Sequence, residues 1–150
     1  TKYSIIFLLF SNEESGFQGS THFVNYTTYK PADIVAYLNI DCIGYGDSIR
    51  VGNGESNPEL YSIARNVDSS LSKLVVEGTW SGGGADAVPF YQNKIPSLYF
   101  VSTNSYTFLH LPEDKPETLN QPLFTNIVKL IYGTAYKVAS GNYEREEIVK

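Results

Sequence analysis

Glu13 and Glu14 stand side by side just past an unbroken apolar run, Ile5 to Phe10, and Asp41 ends a second run, Ile34 to Ile40. His110 lies in a polar, proline-bearing stretch from Ser102 to Lys115. Carboxylates and an imidazole are the side chains that hold divalent ions and that accept or hand on protons. Three of the four follow the end of an apolar run within a few residues. In open α/β sheets the strand tips open onto a shared crevice, so groups about 100 residues apart can meet there. Residue type alone also allows plainer readings. An adjacent glutamate pair is ordinarily a solvated turn, Asp41 could cap a neighbouring helix, and His110 could be a surface-loop histidine. His22 falls in a helical stretch and reads as structural.

The elements that must position these groups follow from periodicity. Ser4 to Phe10 fits a strand covered on both faces. A helix is expected from Ser15 to about Tyr26, its start using Gly16 and Gly19 to bring backbone close to the site, with Pro31 ending it. Ile34 to Ile40 reads as a strand delivering Asp41, and Ser48 to Val51 as a short one. Asn57-Pro58-Glu59 is a helix start, with Asn57 as cap, and Leu60, Ile63, Ala64, Val67 and Leu71 give a helix of about 14 residues. A short strand, Leu74 to Val76, precedes a loop from Gly78 to Ala85 with three consecutive glycines, after which Asp86 caps a short helix through Tyr91. Ile95 to Val101 is a strand. A last helix runs from Pro116 to about Ser140 with Leu119, Leu123, Ile127, Leu130, Ile131 and Ala135 inward, and 141–150 is a charged tail. The order indicates an α/β fold with a mostly parallel or mixed sheet in a single domain, 1–150, without repeats.

Composition sets outer bounds. The chain is 42% hydrophobic and 18% charged, with no apolar run long enough to cross a bilayer. Eleven basic against 16 acidic residues, net −5, without a Lys/Arg cluster, argues against nucleic acid as partner. The single cysteine, Cys42, excludes an internal disulfide and reads as a buried, inert thiol. Asn25-Tyr26-Thr27 is a formal glycosylation triplet of little weight, and compartment stays open.

Four segments together carry a resemblance. N-E-E-S-G-F-Q-G-S at 12–20, L-N-I-D-C-I-G at 38–44, G-G-G-A-D-A-V-P-F at 82–90 and H-L-P-E-D-K-P-E-T-L-N at 110–120 come in the order of the signatures of the M28 family of zinc aminopeptidases, which they resemble. The resemblance covers residues 4 to about 120. It implies a three-layer αβα, phosphorylase/hydrolase-like fold and a site with two zinc ions acting on the free amino terminus of a peptide substrate. It makes Glu13 the general base, Glu14 a ligand to one metal, His110 the partner ligand of Glu14, and Asp41 a ligand to the other metal. Ala85 stands where the family has a serine before Asp86, removing a hydroxyl near the site, and Cys42 replaces a methionine. Asp86 is expected to orient a ligand.

The family also carries an H-x-D segment and a bridging aspartate ahead of the strand that opens this sequence, and nothing here matches them. The expectation is therefore a carboxyl-terminal portion of such a domain, incomplete at its amino terminus and lacking the first strands. Its sheet edge would be covered by a missing segment or an oligomeric partner, and the isolated chain would be weak as an enzyme. A glutaminyl-cyclase-like enzyme would share Glu13, Glu14 and His110, and a degenerate, non-catalytic binding module on the same fold is the other alternative. Tyr106 and Phe108, or Phe90 and Tyr91, could line a specificity pocket or simply pack the core.

Overall fold

The computed structural model describes residues 1–149. Its centre is a three-stranded mixed sheet made of β1 (Tyr37–Ile40), β2 (Ile49–Gly52) and β3 (Ser97–Ser102), in the order β1-β3-β2. β3 pairs parallel to β1 and antiparallel to β2, and all six of its residues are buried, as a strand covered on both faces requires. Leu74 to Val76 contributes only a parallel bridge, Ile49 to Val75.

Helices α1 (Gln18–Tyr26), α2 (Pro58–Ser69), α3 (Ala87–Gln92) and α4 (Gln121–Ala139) cover the sheet. Side chains alternate across a strand, so each face has its own core. Ile49, Val51, Leu98 and Phe100 pack under Leu60 and Ala64 of α2 and Leu123, Ile127 and Leu130 of α4. On the opposite face Val24 of α1, Phe90 of α3 and Ile95 form a smaller cluster, joined by Phe10 and by Tyr37, whose ring stacks on Phe90 at 3.7 Å. The expected three-layer αβα arrangement is present.

Several elements depart from the sequence expectation. Ser4 to Phe10 is not a strand. Among the described residues its backbone makes no hydrogen bond, and a strand exists only against a hydrogen-bonded neighbour. Leu8 and Phe10 still pack on the smaller core, whereas Phe7 is 90% and Leu9 100% exposed. β1 begins at Tyr37 rather than Ile34, because Pro31–Asp33 forms a 3-10 turn first. Asn57 turns inward to donate to the carbonyls of Asn53 and Ser97, and the amino end of α2 is capped by Glu146, whose carboxylate accepts from the amides of Glu59 and Leu60. The tail is therefore docked: Tyr143 is buried and Arg145 donates to the carbonyls of Ile34 and Lys94. At α4 the cap is Asn120, which accepts from the Leu123 amide, and Pro116–Thr118 is a separate 3-10 turn.

Candidate metal centre

Glu13 and Glu14 sit in a 3-10 turn, Glu13–Ser15, not at the start of a helix. The chain leaves Phe10, bends through Asn12 in the left-handed region (φ 59°), and enters α1 after Phe17, also left-handed (φ 58°). Gly19 is required by proximity: a Cβ there would lie 2.7 Å from the Ser11 carbonyl oxygen and 3.2 Å from Phe10 Cβ. Ser20, fully buried, donates its hydroxyl to the Asp86 carboxylate at 2.5 Å, with the Phe17 carbonyl 3.1 Å from the same oxygen. The turn is thereby tied to the start of α3, and Asp86 accepts from Ser20 instead of capping its own helix.

His110 is brought to this turn from the loop between β3 and α4. Its Nε2 lies 2.7 Å from Glu14 Oε1 across 96 residues of sequence, with both side chains more than half exposed on the same opening. His110 itself is left-handed (φ 61°), a conformation that costs a non-glycine residue energy and that the surrounding loop must hold in place.

Asp41 follows β1 and belongs to a different set of contacts. Tyr99 of β3 donates its hydroxyl to Asp41 Oδ2 at 3.2 Å, and the Cys42 thiol donates to Asp41 Oδ1 at 3.3 Å. Cys42 is half-buried, outside the strand and left-handed (φ 51°), so it is not the strand-core thiol its neighbours suggested. The Tyr99 ring is held from behind. Trp80 meets it edge-on with centroids 6.0 Å apart and donates its indole N–H to the Gly83 carbonyl, while the Gly83 amide donates to buried Asn53. Gly84 clears the space, since a Cβ there would lie 2.7 Å from Tyr99 Cδ1.

The electrostatics of the opening are those of crowded carboxylates. Burial, followed by the charges of Glu14, Asp41 and Asp86, pushes the Glu13 carboxyl above its ordinary range, and His110 opposes the shift. The Cys42 thiol is pushed up to about 12, first by burial and then by Asp41. Burial and then Asp41 raise the Tyr99 phenol, so it stays a donor. Among the described residues no three His, Cys, Asp or Glu side chains gather closely enough to hold a metal ion. Glu14 and His110 are brought together; Glu13 and Asp41 stand near enough to act electrostatically but outside that pair. The sequence reading missed Tyr99, Trp80 and Ser20. Phe90, read as a possible pocket residue, is buried core, and Tyr106 is exposed.

The model of peptidase family M28 matches residues 1–135. The chain belongs to this family. Among curated proteins it is 26% identical over 134 residues to probable leucine aminopeptidases of Arthroderma benhamiae and Trichophyton verrucosum, covering 87% of this chain and 38% of each of those. Among solved structures it is similar to the aminopeptidase from Aneurinibacillus sp. strain AM-1 (TM-score 0.75, 20% identity, 93% of this chain and 34% of that one). It is also similar to BSAP, a zinc aminopeptidase from Bacillus subtilis (TM-score 0.73, 19% identity, 94% and 37%), and to the Legionella pneumophila LapA aminopeptidase (TM-score 0.75, 24% identity, 87% and 38%). The fold is that of these M28 enzymes, and the chain spans 38% of the length of the curated relatives it matches.

Proposed function

We propose that this chain carries part of the active site of a zinc-dependent aminopeptidase that removes the amino-terminal residue of peptides. The observation that carries the reading is the 2.7 Å approach of His110 to Glu14 beside a glutamate whose pKa is raised. An imidazole nitrogen and a carboxylate oxygen facing each other fit a divalent ion by type, and they are two of the three or more protein ligands a catalytic zinc takes. Glu14 and His110 would hold one zinc and Asp41 would serve a second; bound there, zinc supplies Lewis-acid polarisation of water and of the scissile carbonyl.

The protein groups divide the remaining work. Glu13, next to Glu14 in the same turn, takes the proton of the attacking water and delivers it to the leaving amine. A raised pKa suits both halves of that transfer. Tyr99 and the Cys42 thiol hold the two oxygens of Asp41, and Ser20 holds Asp86. The peptide's amino-terminal group is cationic and is favoured by the combined negative charge of Glu13 and of Glu14, Asp41 and Asp86, which act on the Glu13 carboxyl. A free edge on β1 and the unpaired stretch with exposed Ile5, Ile6, Phe7 and Leu9 favour a further strand over this region, supplied by chain beyond these residues or by another molecule. With only part of the ligand set, the chain by itself is a weak or inactive enzyme.

The test compares Glu13→Gln with Glu14→Gln in an assembly that hydrolyses an aminoacyl anilide. Glu13→Gln keeps its zinc and loses turnover by at least about 10²-fold, as removal of a general base does. Glu14→Gln loses zinc as well. Equal metal loss in both variants overturns the division of roles.

A further inference from the structure

Outside the candidate metal centre, α4 has two apolar faces where a surface helix needs one. The inner face, with Leu123, Ile127, Leu130 and Val138, is buried in the larger core. The outer face carries Phe124, Val128, Tyr132 and Tyr136, each exposed, at i, i+4, i+8 and i+12. Tyr132 and Tyr136 stack with centroids 6.3 Å apart and 21° between planes, so the ridge is ordered rather than a scatter of surface residues. Beside it runs an open groove of about 700 Å³ between α4 and α2, with Ile63 and Val67 on the α2 side. An i+4 ridge next to a groove is the geometry into which a second helix interlocks.

We propose that this face docks an acidic amphipathic helix of a partner protein. The charge of the groove selects the occupant. Lys129 and Lys137 line it and, among the described residues, no aspartate or glutamate does, on a chain whose net charge is −5. The two lysines are eight residues, or about 12 Å, apart along α4. A helix laid against the ridge meets both with carboxylates two turns apart while its leucine-type residues fill the groove. A second copy is disfavoured, because a two-fold pairing through this face brings Lys129 and Lys137 against themselves. An anionic bilayer is disfavoured too: it is flat where this surface is concave, and two lysines fall short of the roughly 4–8 basic residues that mark lipid recognition.

The probe is a fluorescein-labelled synthetic helix of about 18 residues, leucines at i, i+3, i+4 and i+7 and glutamates on both flanks, with a twin that carries lysines in place of glutamates. Fluorescence anisotropy on the full chain should give saturable binding of the glutamate peptide at least about tenfold tighter than of its twin, weakening with salt. Lys129→Glu/Lys137→Glu should reverse the preference, and Tyr132→Ser should weaken both peptides. All three positions are exposed, and circular dichroism of the variants shows whether they keep the fold. Equal binding of the two peptides, or a preference that survives the charge reversal, overturns the proposal. Binding that falls with Leu9→Ser but not Tyr132→Ser locates it on the exposed amino-terminal stretch and also overturns it. So does a homodimer dissociated by Tyr132→Ser in sedimentation velocity, or capture by phosphatidylserine vesicles that the charge reversal abolishes.

Discussion

Gly84→Ala tests the packing that holds Asp41. Gly84 has φ +153°, a region L-residues rarely adopt, and a Cβ placed there lies 2.7 Å from Tyr99 Cδ1 and 3.1 Å from Cε1. The backbone contribution is about 1–3 kcal/mol. The ring cannot retreat freely, since it is buried and Trp80 stands edge-on to it, so displacing it adds about 1–3 kcal/mol of overpacking. The smaller entropy of the unfolded alanine chain offsets about 0.4–1 kcal/mol. The net expectation is a destabilisation of about 1–5 kcal/mol, read as a lower urea midpoint at unchanged slope. In a Tyr99→Ala background the same substitution should lose the overpacking part of its cost, about 1–3 kcal/mol. A cost below about 0.5 kcal/mol, or the same cost with and without the Tyr99 ring, refutes the reasoning.

Two other perturbations probe the frame of the site. Glu146→Gln removes the charge that accepts from the Glu59 and Leu60 amides at 3.0 and 2.9 Å, and it should cost about 1–2 kcal/mol in thermal unfolding; an unchanged melting temperature contradicts the capping role. Stability should fall as pH rises from about 9 towards 12. The Cys42 thiol moves from 9.0 to about 12 on folding, and Tyr37, Tyr99 and Tyr143 are raised too, so the unfolded chain gives up protons that the folded chain keeps. Their contribution is complete below the unfolded values, and a urea midpoint that is flat or rising between pH 8 and 11 contradicts it.

The acidic residues of the opening were legible because their positions are local facts: Glu13 and Glu14 follow one apolar run and Asp41 another, and strand ends of an α/β sheet face one crevice. Pairing was not legible. Ile5 to Phe10 has the composition of a strand, yet a ladder needs a neighbour, and β1's free edge and this stretch remain unjoined. Asn57 has the residue type of a cap, but its buried partners Asn53 and Ser97 outcompete the helix end, and the acceptor comes from Glu146, 87 residues beyond Glu59. Tyr99 sits in a run that reads as core; only the strand's orientation decides that its hydroxyl reaches Asp41. His110 could be named from the motif, whereas its left-handed backbone and its distance to Glu14 are tertiary outcomes.

The central claim is that Glu14 and His110 together are metal ligands, and zinc titration by calorimetry addresses it directly. The chain alone should show one weak zinc site, lost in both Glu14→Gln and His110→Ala, and retained with affinity within about tenfold in Tyr99→Phe, which removes only the hydroxyl that donates to Asp41. Zinc binding unchanged by His110→Ala, or tight binding of two zinc ions with full hydrolytic activity from the chain alone, contradicts it.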